Sequence, residues 1–169
     1  MKKNGVTGEL KAFFFILTLL SLTIISCKES EDDLVKPKTV TDVLIENEQF
    51  SIIREIILAA KMSDAFRSSN ITFFVPDNNA FGRANISSAS AIISRSDTAA
   101  RDFILDHTIN GEVDFANLTP GVKRSLTKKE VRITRVDSTI MVNGSEILKR
   151  NLKADNAILH VIDSVLVRP

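Results

Sequence analysis

The stretch that decides the fold spans residues 71–81 and reads ITFFVPDNNAF. Its first five residues are β-branched or aromatic, which predicts a strand. Pro76 must end this strand because proline cannot donate a hydrogen bond to a neighbouring strand. Asp77 or Asn78 can then cap a short helix that includes Phe81. We therefore expect a strand that leads directly into a helix.

Two apolar stripes with helical spacing precede this strand. The first contains Val40 and Leu44, and Thr41 is available there as an N-cap. The second runs from Phe50 to Ala60 and is broad enough to predict a well-buried helix. After the strand, residues 87–95 and 97–107 predict two more helices. The second of these has Asp97 as its expected N-cap and Asn110–Gly111 as its expected end.

The apolar spacing then changes from the helical period to alternation. Residues 131–134 alternate, and residues 139–142 and 146–148 flank Asn143–Gly144, which predicts a type I′ hairpin. Residues 157–167, AILHVIDSVLV, are apolar on both faces and predict an inner strand. Helices first and strands later, with one early strand, indicate an α+β domain without repeats.

Two of these segments resemble the signatures of the fasciclin (FAS1) domain. TFFVPDNNAF at 72–81 resembles the first signature, and NAILHVIDSVL at 156–166 resembles the second. The Val-Asn-Gly at 142–144 and the opening helix at 39–44 match as well, so the resemblance covers about residues 38–169. The structural family motif falls here on Pro76, Asn78, Phe81, Asn156, His160 and Asp163.

The resemblance implies a fold and, more broadly, a function. The expected architecture is a fasciclin-like twisted β-sandwich or wedge with a helical bundle packed along one side. Such domains resemble extracellular adhesion and ligand-binding modules, which are mostly non-enzymatic. Where the family often has Tyr-His, this chain has Asp106-His107, so an integrin-type function is not supported.

The N-terminus resembles a lipoprotein leader. Residues 12–25 carry no charge, but a helix of that length rises only ~21 Å, short of the ~30 Å hydrocarbon core. Ile-Ile-Ser at 24–26 then precedes Cys27, as in a bacterial lipobox, although an ordinary secretory signal with an incidental cysteine is the alternative. We expect a signal peptide at 1–26, an acidic flexible tether at 27–37 and one fasciclin domain at 38–169.

The acidic run at 28–33 resembles the surface-export signal of some Gram-negative lipoproteins. We therefore expect an exported protein that is attached to the outer membrane through acylated Cys27. It would be surface-exposed or otherwise face the periplasm.

The composition argues against several kinds of chemistry. A net charge of +1 lacks the strongly basic character of most nucleic-acid-binding proteins. The G-x-S-x-G motif that carries the nucleophile of α/β-hydrolases does not occur. With only two histidines, we expect no catalytic residue, cofactor, metal or small-molecule substrate. His160 lies in an apolar strand, as a hydrogen-bonded core residue would. We expect Asn156 and Asp163 to hold backbone turns or helix ends.

A candidate interaction surface comes from the second histidine and a basic run. Its members are His107, Lys123, Arg124, Lys128, Lys129 and Arg132. His107 ends a predicted helix, so it is either a capping or packing residue or a surface contact. The basic run is either a solvated face or a patch for anionic glycans or membrane headgroups.

These features together predict a lipid-anchored module of the cell envelope or cell surface. Its role would be adhesion or binding of an extracellular protein or glycan, without catalysis. The alternative is an accessory or structural subunit of an outer-membrane uptake or assembly complex.

Overall fold

A computed structural model describes residues 38–63, 70–155 and 157–166 of this 169-residue chain. The signal peptide, the tether with Cys27, and Asn156 lie outside the described residues, so what was predicted for them stays a prediction. Within the described ranges, no helix is long and apolar enough to cross a membrane.

The first part of the described chain is mostly helical, and only strands follow from residue 121 onward. The helices are α1 (Val40–Ile45), α2 (Ser51–Ala59), α3 (Asn78–Arg83), α4 (Ser90–Ile93) and α5 (Ala99–Asp106). Short 3₁₀ helices lie at Glu48–Phe50 and Phe115–Asn117. The strands are β1 (Ile71–Pro76), β2 (Thr108–Asn110), β3 (Gly121–Arg124), β4 (Glu130–Val136), β5 (Thr139–Val142), β6 (Ser145–Ala154) and β7 (Ala157–Ile162).

The seven strands form one mixed sheet in the order β2-β1-β7-β6-β5-β4-β3. Only β1 and β7 pair in parallel, and every other neighbouring pair is antiparallel. A bridge between Ile109 and Ser125 joins the two ends of the sheet, which is therefore nearly closed. The expected α+β class is thus confirmed as a mixed sheet with helices, whereas the helical bundle along one side stays a prediction.

The central strands separate two hydrophobic cores. Every residue of β1 and β7 is buried, as their sequences predict. Because side chains alternate along a strand, Phe73 packs among residues of the helices and Phe74 packs among residues of β4 and β5. The inner strand predicted from Ala157 is confirmed as far as Ile162.

The local turn predictions have mixed outcomes. Asn143 (φ 50°) and Gly144 (φ 83°) join β5 to β6 with two left-handed residues, which confirms the predicted hairpin. The caps predicted at Thr41 and Asp97 are wrong, because α1 begins two residues earlier and α5 one residue later than those caps would place them. Thr39 caps α1 in a capping box with Asp42, and the N-cap position of α5 is Thr98.

The predicted helix end at Asn110–Gly111 is also wrong. The helix ends at Asp106, and residues 108–110 form an edge strand that pairs with β1. The hydroxyl of Thr108 still donates to the carbonyl of Ile104, 2.8 Å away, as in a continuing helix. Pairing with a strand so distant in sequence, rather than local propensity, decides this segment.

Asn78 of the family motif connects two helix starts. Its Nδ2 donates to the carbonyl of Glu48 and to the hydroxyl of Ser51, both at 3.0 Å, and its Oδ1 accepts from the amide of Ile52 at 3.2 Å. Asp77 beside it caps α3 through the amide of Ala80, as predicted. This pair therefore fixes the start of α2 against the turn from β1 to α3.

We predict that Asn78→Ala lowers the free energy of unfolding by about 2 kcal/mol, because it removes three hydrogen bonds and leaves their partners unpaired. The exposed neighbour Asn79 is the matched control, and Asn79→Ala should change stability by less than about 0.5 kcal/mol. Urea unfolding measures both, and equal losses would contradict the role of Asn78.

Candidate interaction site

His107 lies in the interior and not at the surface. It is 0 % exposed, directly after α5, with its ring 4.3 Å from that of Phe103. Its Nδ1 donates to the carbonyl of Phe103 at 2.8 Å, and its Nε2 accepts from the amide of Leu166 at 3.0 Å. The surface-contact prediction is therefore wrong, because the C-terminal segment covers the ring. The packing alternative is confirmed.

Burial keeps His107 neutral. Desolvation lowers its pKa from 6.5 to about 4, against smaller raising effects of the hydrogen bond to Phe103 and of the Asp106 charge. The charge of Lys129 lowers the pKa further. Because a carbonyl can only accept and an amide can only donate, the two bonds of the ring fix the Nδ1–H tautomer.

Asp106, in the family's usual Tyr position, has a structural partner. Its carboxylate is 5 % exposed and accepts from Lys129 Nζ at 2.7 Å and from the Thr127 hydroxyl. This ion pair connects the end of α5 to the turn between β3 and β4. Lys129, predicted as a surface cation, is 55 % exposed and forms this ion pair at the surface.

The remaining basic residues do not form one patch. Arg132 pairs with Val122 and Lys123 pairs with Val131, so Lys123 lies on the face of the buried Val131 and Arg132 on the opposite face. Arg124 shares the face of Arg132, but its Nη1 donates to the carbonyl of Lys128 at 3.0 Å. Nη2 of Arg132 lies 3.6 Å from Oε2 of Glu130, so these two side chains form an ion pair. A single basic surface does not result from this register.

His160 is the predicted hydrogen-bonded core residue. It is 0 % exposed, and its ring stacks on Phe74 at a centroid distance of 5.9 Å. Its Nδ1 accepts from the amide of Asn151 at 3.3 Å, and its Nε2 donates to the carbonyl of Val113 at 2.9 Å. Burial lowers its pKa, although the bond to Val113 and the charge of Asp114 act in the opposite direction.

Asp163 holds a turn, as the sequence predicts. Its Oδ1 accepts from the amide of Glu146 at 2.8 Å. The amide of Asp163 donates to the carbonyl of Glu146 at 3.0 Å. Its carbonyl accepts from Nε of Arg83 at 2.6 Å. This motif residue therefore connects α3, the start of β6 and the end of β7.

The structure contains a groove that the sequence did not predict. It has a volume of about 210 Å³, and its lining includes Phe115, Ser138, Thr139, Glu146, Leu148 and Arg150. The guanidinium carbon of Arg150 lies 4.6 Å from the centroid of the Phe115 ring, which is a cation–π contact. We call this feature the Arg150 groove.

A break in strand register creates this arrangement. Pairing of β6 with β7 shifts between Ile147 and Lys149 and again before Leu152. Within the shifted stretch, Asn151 is left-handed at φ 57°, and its Oδ1 accepts from the amide of Phe115 at 2.8 Å. Asparagine tolerates this conformation better than most residues, but no pattern of the sequence places a shift here.

The described residues contain no group of three His, Cys, Asp or Glu side chains that could hold a metal ion. Both of the chain's imidazoles use both ring nitrogens in bonds to the backbone. The side chains that line the Arg150 groove can instead present hydrogen-bond donors, hydrogen-bond acceptors and apolar surface to a ligand.

The sheet and the helices together define a fasciclin-like fold. A solved FAS1 domain pair from the insect cell adhesion molecule fasciclin I matches with a TM-score of 0.60 at 15% identity. The match covers 77% of this chain and 51% of that one. The model of the fasciclin domain family matches residues 48–168. The chain belongs to the fasciclin domain family.

Relatives occur in bacteria and animals. The chain is 26% identical to protein sll1483 of Synechocystis, over 78% of this chain and 74% of the relative. It is also 26% identical to human periostin, over 79% of this chain. It spans only 17% of the length of periostin. The similarity to periostin therefore concerns a domain and not the whole relative.

We predict that stability falls in mild acid because of His107. Its pKa is lowered from 6.5 to about 4 in the folded state, so between these values only the unfolded chain binds the proton and stability decreases as pH falls. From pH 7.5 to pH 5.0, His107 alone should lower the free energy of unfolding by about 2 kcal/mol. Urea unfolding at the two pH values measures this difference.

His107→Gln should remove this contribution, so its stability difference between the two pH values should be about 2 kcal/mol smaller than that of the wild type. His160 remains in both proteins and contributes equally to both differences. An identical pH dependence of the two proteins would contradict the role of His107.

Proposed function

We propose that this chain is a lipid-anchored module of the bacterial cell envelope whose domain binds an extracellular protein or glycan. Membership of the fasciclin family over residues 48–168 supports the proposal most directly. The matched solved structure belongs to a cell adhesion molecule, and we carry adhesion over to this chain as part of the proposal.

A role without catalysis is consistent with the histidine geometry. A general base needs a ring nitrogen that can reach a substrate proton. Both nitrogens of His107 and of His160 are instead engaged with backbone groups, and both rings are 0 % exposed. Neither ring has a free nitrogen for proton transfer.

The lipid anchor is the second part of the proposal. Cys27 follows an uncharged stretch and a small residue, as an acylated cysteine would. Several acyl chains, at ~0.8 kcal/mol per buried CH₂, hold a protein on a membrane essentially permanently. The acidic residues that follow support an outer-membrane location at the cell surface.

We predict that the chain incorporates radiolabelled palmitate in bacteria and that Cys27→Ser abolishes the label. Ser30→Ala, three residues beyond the acylation site, is the matched control and should be labelled like the wild type. Protease treatment of intact cells should degrade the wild-type protein, because we place its domain at the cell surface. Equal labelling of the wild type and Cys27→Ser would contradict the anchor.

A further inference from the structure

The Arg150 groove lies where β5 and β6 separate. Their register pairs Val142 with Ser145 and Met141 with Glu146, and no further pair follows. From Ile147 onward, β6 instead pairs with β7. The space between the diverging strands is therefore open on one side.

Arg150 places a positive charge in this space. Its side chain lies on Phe115, and none of the ion pairs among the described residues includes it. A guanidinium that is held against a ring keeps its N–H donors at the edge, where they can bind a carboxylate through two hydrogen bonds. Arg150 is therefore suited to bind a carboxylate.

Three more polar side chains line the groove, namely Ser138, Thr139 and Glu146. The side chains of these three residues form no hydrogen bond with another described residue. The two hydroxyls can donate or accept, and the carboxylate can only accept. Leu148, which is 49 % exposed, adds an apolar surface. The groove thus combines one cation, one anion, two hydroxyls and apolar surface.

The walls of the groove are held in place from behind by His160. One ring nitrogen bonds the amide of Asn151, next to Arg150, and the other bonds the carbonyl of Val113, two residues before Phe115. The side chain of Asn151 also accepts from the amide of Phe115. The strained backbone of Asn151 is therefore fixed by its surroundings, and a preorganised site loses less entropy on binding.

This set of groups distinguishes between classes of ligand. Nucleic acids and heavily sulfated chains carry dense negative charge, which Glu146 would repel. A sugar acid carries one carboxylate for Arg150, hydroxyls that can donate to Glu146, and an apolar ring face for Leu148.

We propose that the Arg150 groove binds a uronic-acid unit of an acidic polysaccharide. Arg150 binds the carboxylate, Glu146 accepts from ring hydroxyls, and Ser138 and Thr139 complete the hydrogen bonds. This inference rests on the proposed ligand-binding function and assigns one ligand class to it. It does not depend on the lipid anchor.

Calorimetry tests the proposal with the purified full chain in detergent and a galacturonate oligosaccharide that carries one free carboxylate among methyl-esterified units. The wild type should bind this oligosaccharide, and Arg150→Gln should weaken binding at least about tenfold. Lys149→Gln is the matched control, since Lys149 is the adjacent cation but does not line the groove, and it should bind like the wild type. Fully methyl-esterified oligosaccharide should bind the wild type as weakly as the acid binds Arg150→Gln.

A second variant keeps the test decisive if Arg150→Gln disturbs the fold. The side chain of Glu146 has no protein partner among the described residues, so Glu146→Ala should preserve the melting temperature and still weaken sugar binding. Absence of wild-type binding, equal losses in Arg150→Gln and Lys149→Gln, or equally tight binding of polyglutamate would overturn the proposal. If cells with Arg150→Gln still adhere as the wild type does, the groove assignment fails while the proposed adhesion function stands.

Discussion

The parallel pairing of β1 with β7 is the constraint on which the rest of the structure depends. Six residue pairs, from Ile71 with Ala157 to Pro76 with Ile162, connect strands far apart in the chain. Parallel neighbours need a long crossover, and here the crossover contains three helices and the other five strands. Both strands are fully buried, so they divide the interior into two cores.

The two histidines extend this constraint to the periphery. His160 lies opposite Phe74 in the pairing of β1 with β7. Its ring forms hydrogen bonds with β6 and with the segment before the 3₁₀ helix at Phe115–Asn117. His107 instead holds the C-terminal segment at Leu166 against the end of α5. Their partners require opposite neutral tautomers, Nε2–H for His160 and Nδ1–H for His107. Both residues therefore serve as neutral connectors between backbone segments, a role that burial favours.

Much of the fold could be predicted because local chemistry determines it. Pro76 and Asp77 fix the change from strand to helix, and Asn143–Gly144 fixes a hairpin that any sequence of this pattern would favour. The edge strand β2 could not be predicted, since residues 108–110 become a strand only by pairing with β1. The family motif named Asn78, His160 and Asp163, and the structure gives the contacts that each of them makes.

The candidate site was harder to predict because it depends on register. The basic run near position 128 appears continuous in the sequence, but strand alternation places Lys123 and Arg132 on opposite faces. The Arg150 groove arises from shifts in β6 and from a left-handed Asn151, neither of which leaves a periodic signal. His107 was misplaced because the segment that covers it comes almost sixty residues later.

The central claim is that both histidines are neutral structural connectors. Nitrogen NMR of the two imidazole rings across a pH titration tests it most directly. We expect both rings to titrate below the ordinary pKa of 6.5, His107 with a midpoint of about 4. In their neutral forms, His107 should carry its proton on Nδ1 and His160 should carry its proton on Nε2. A ring that titrates near its ordinary pKa of about 6.5, or that exchanges between tautomers, would contradict the account.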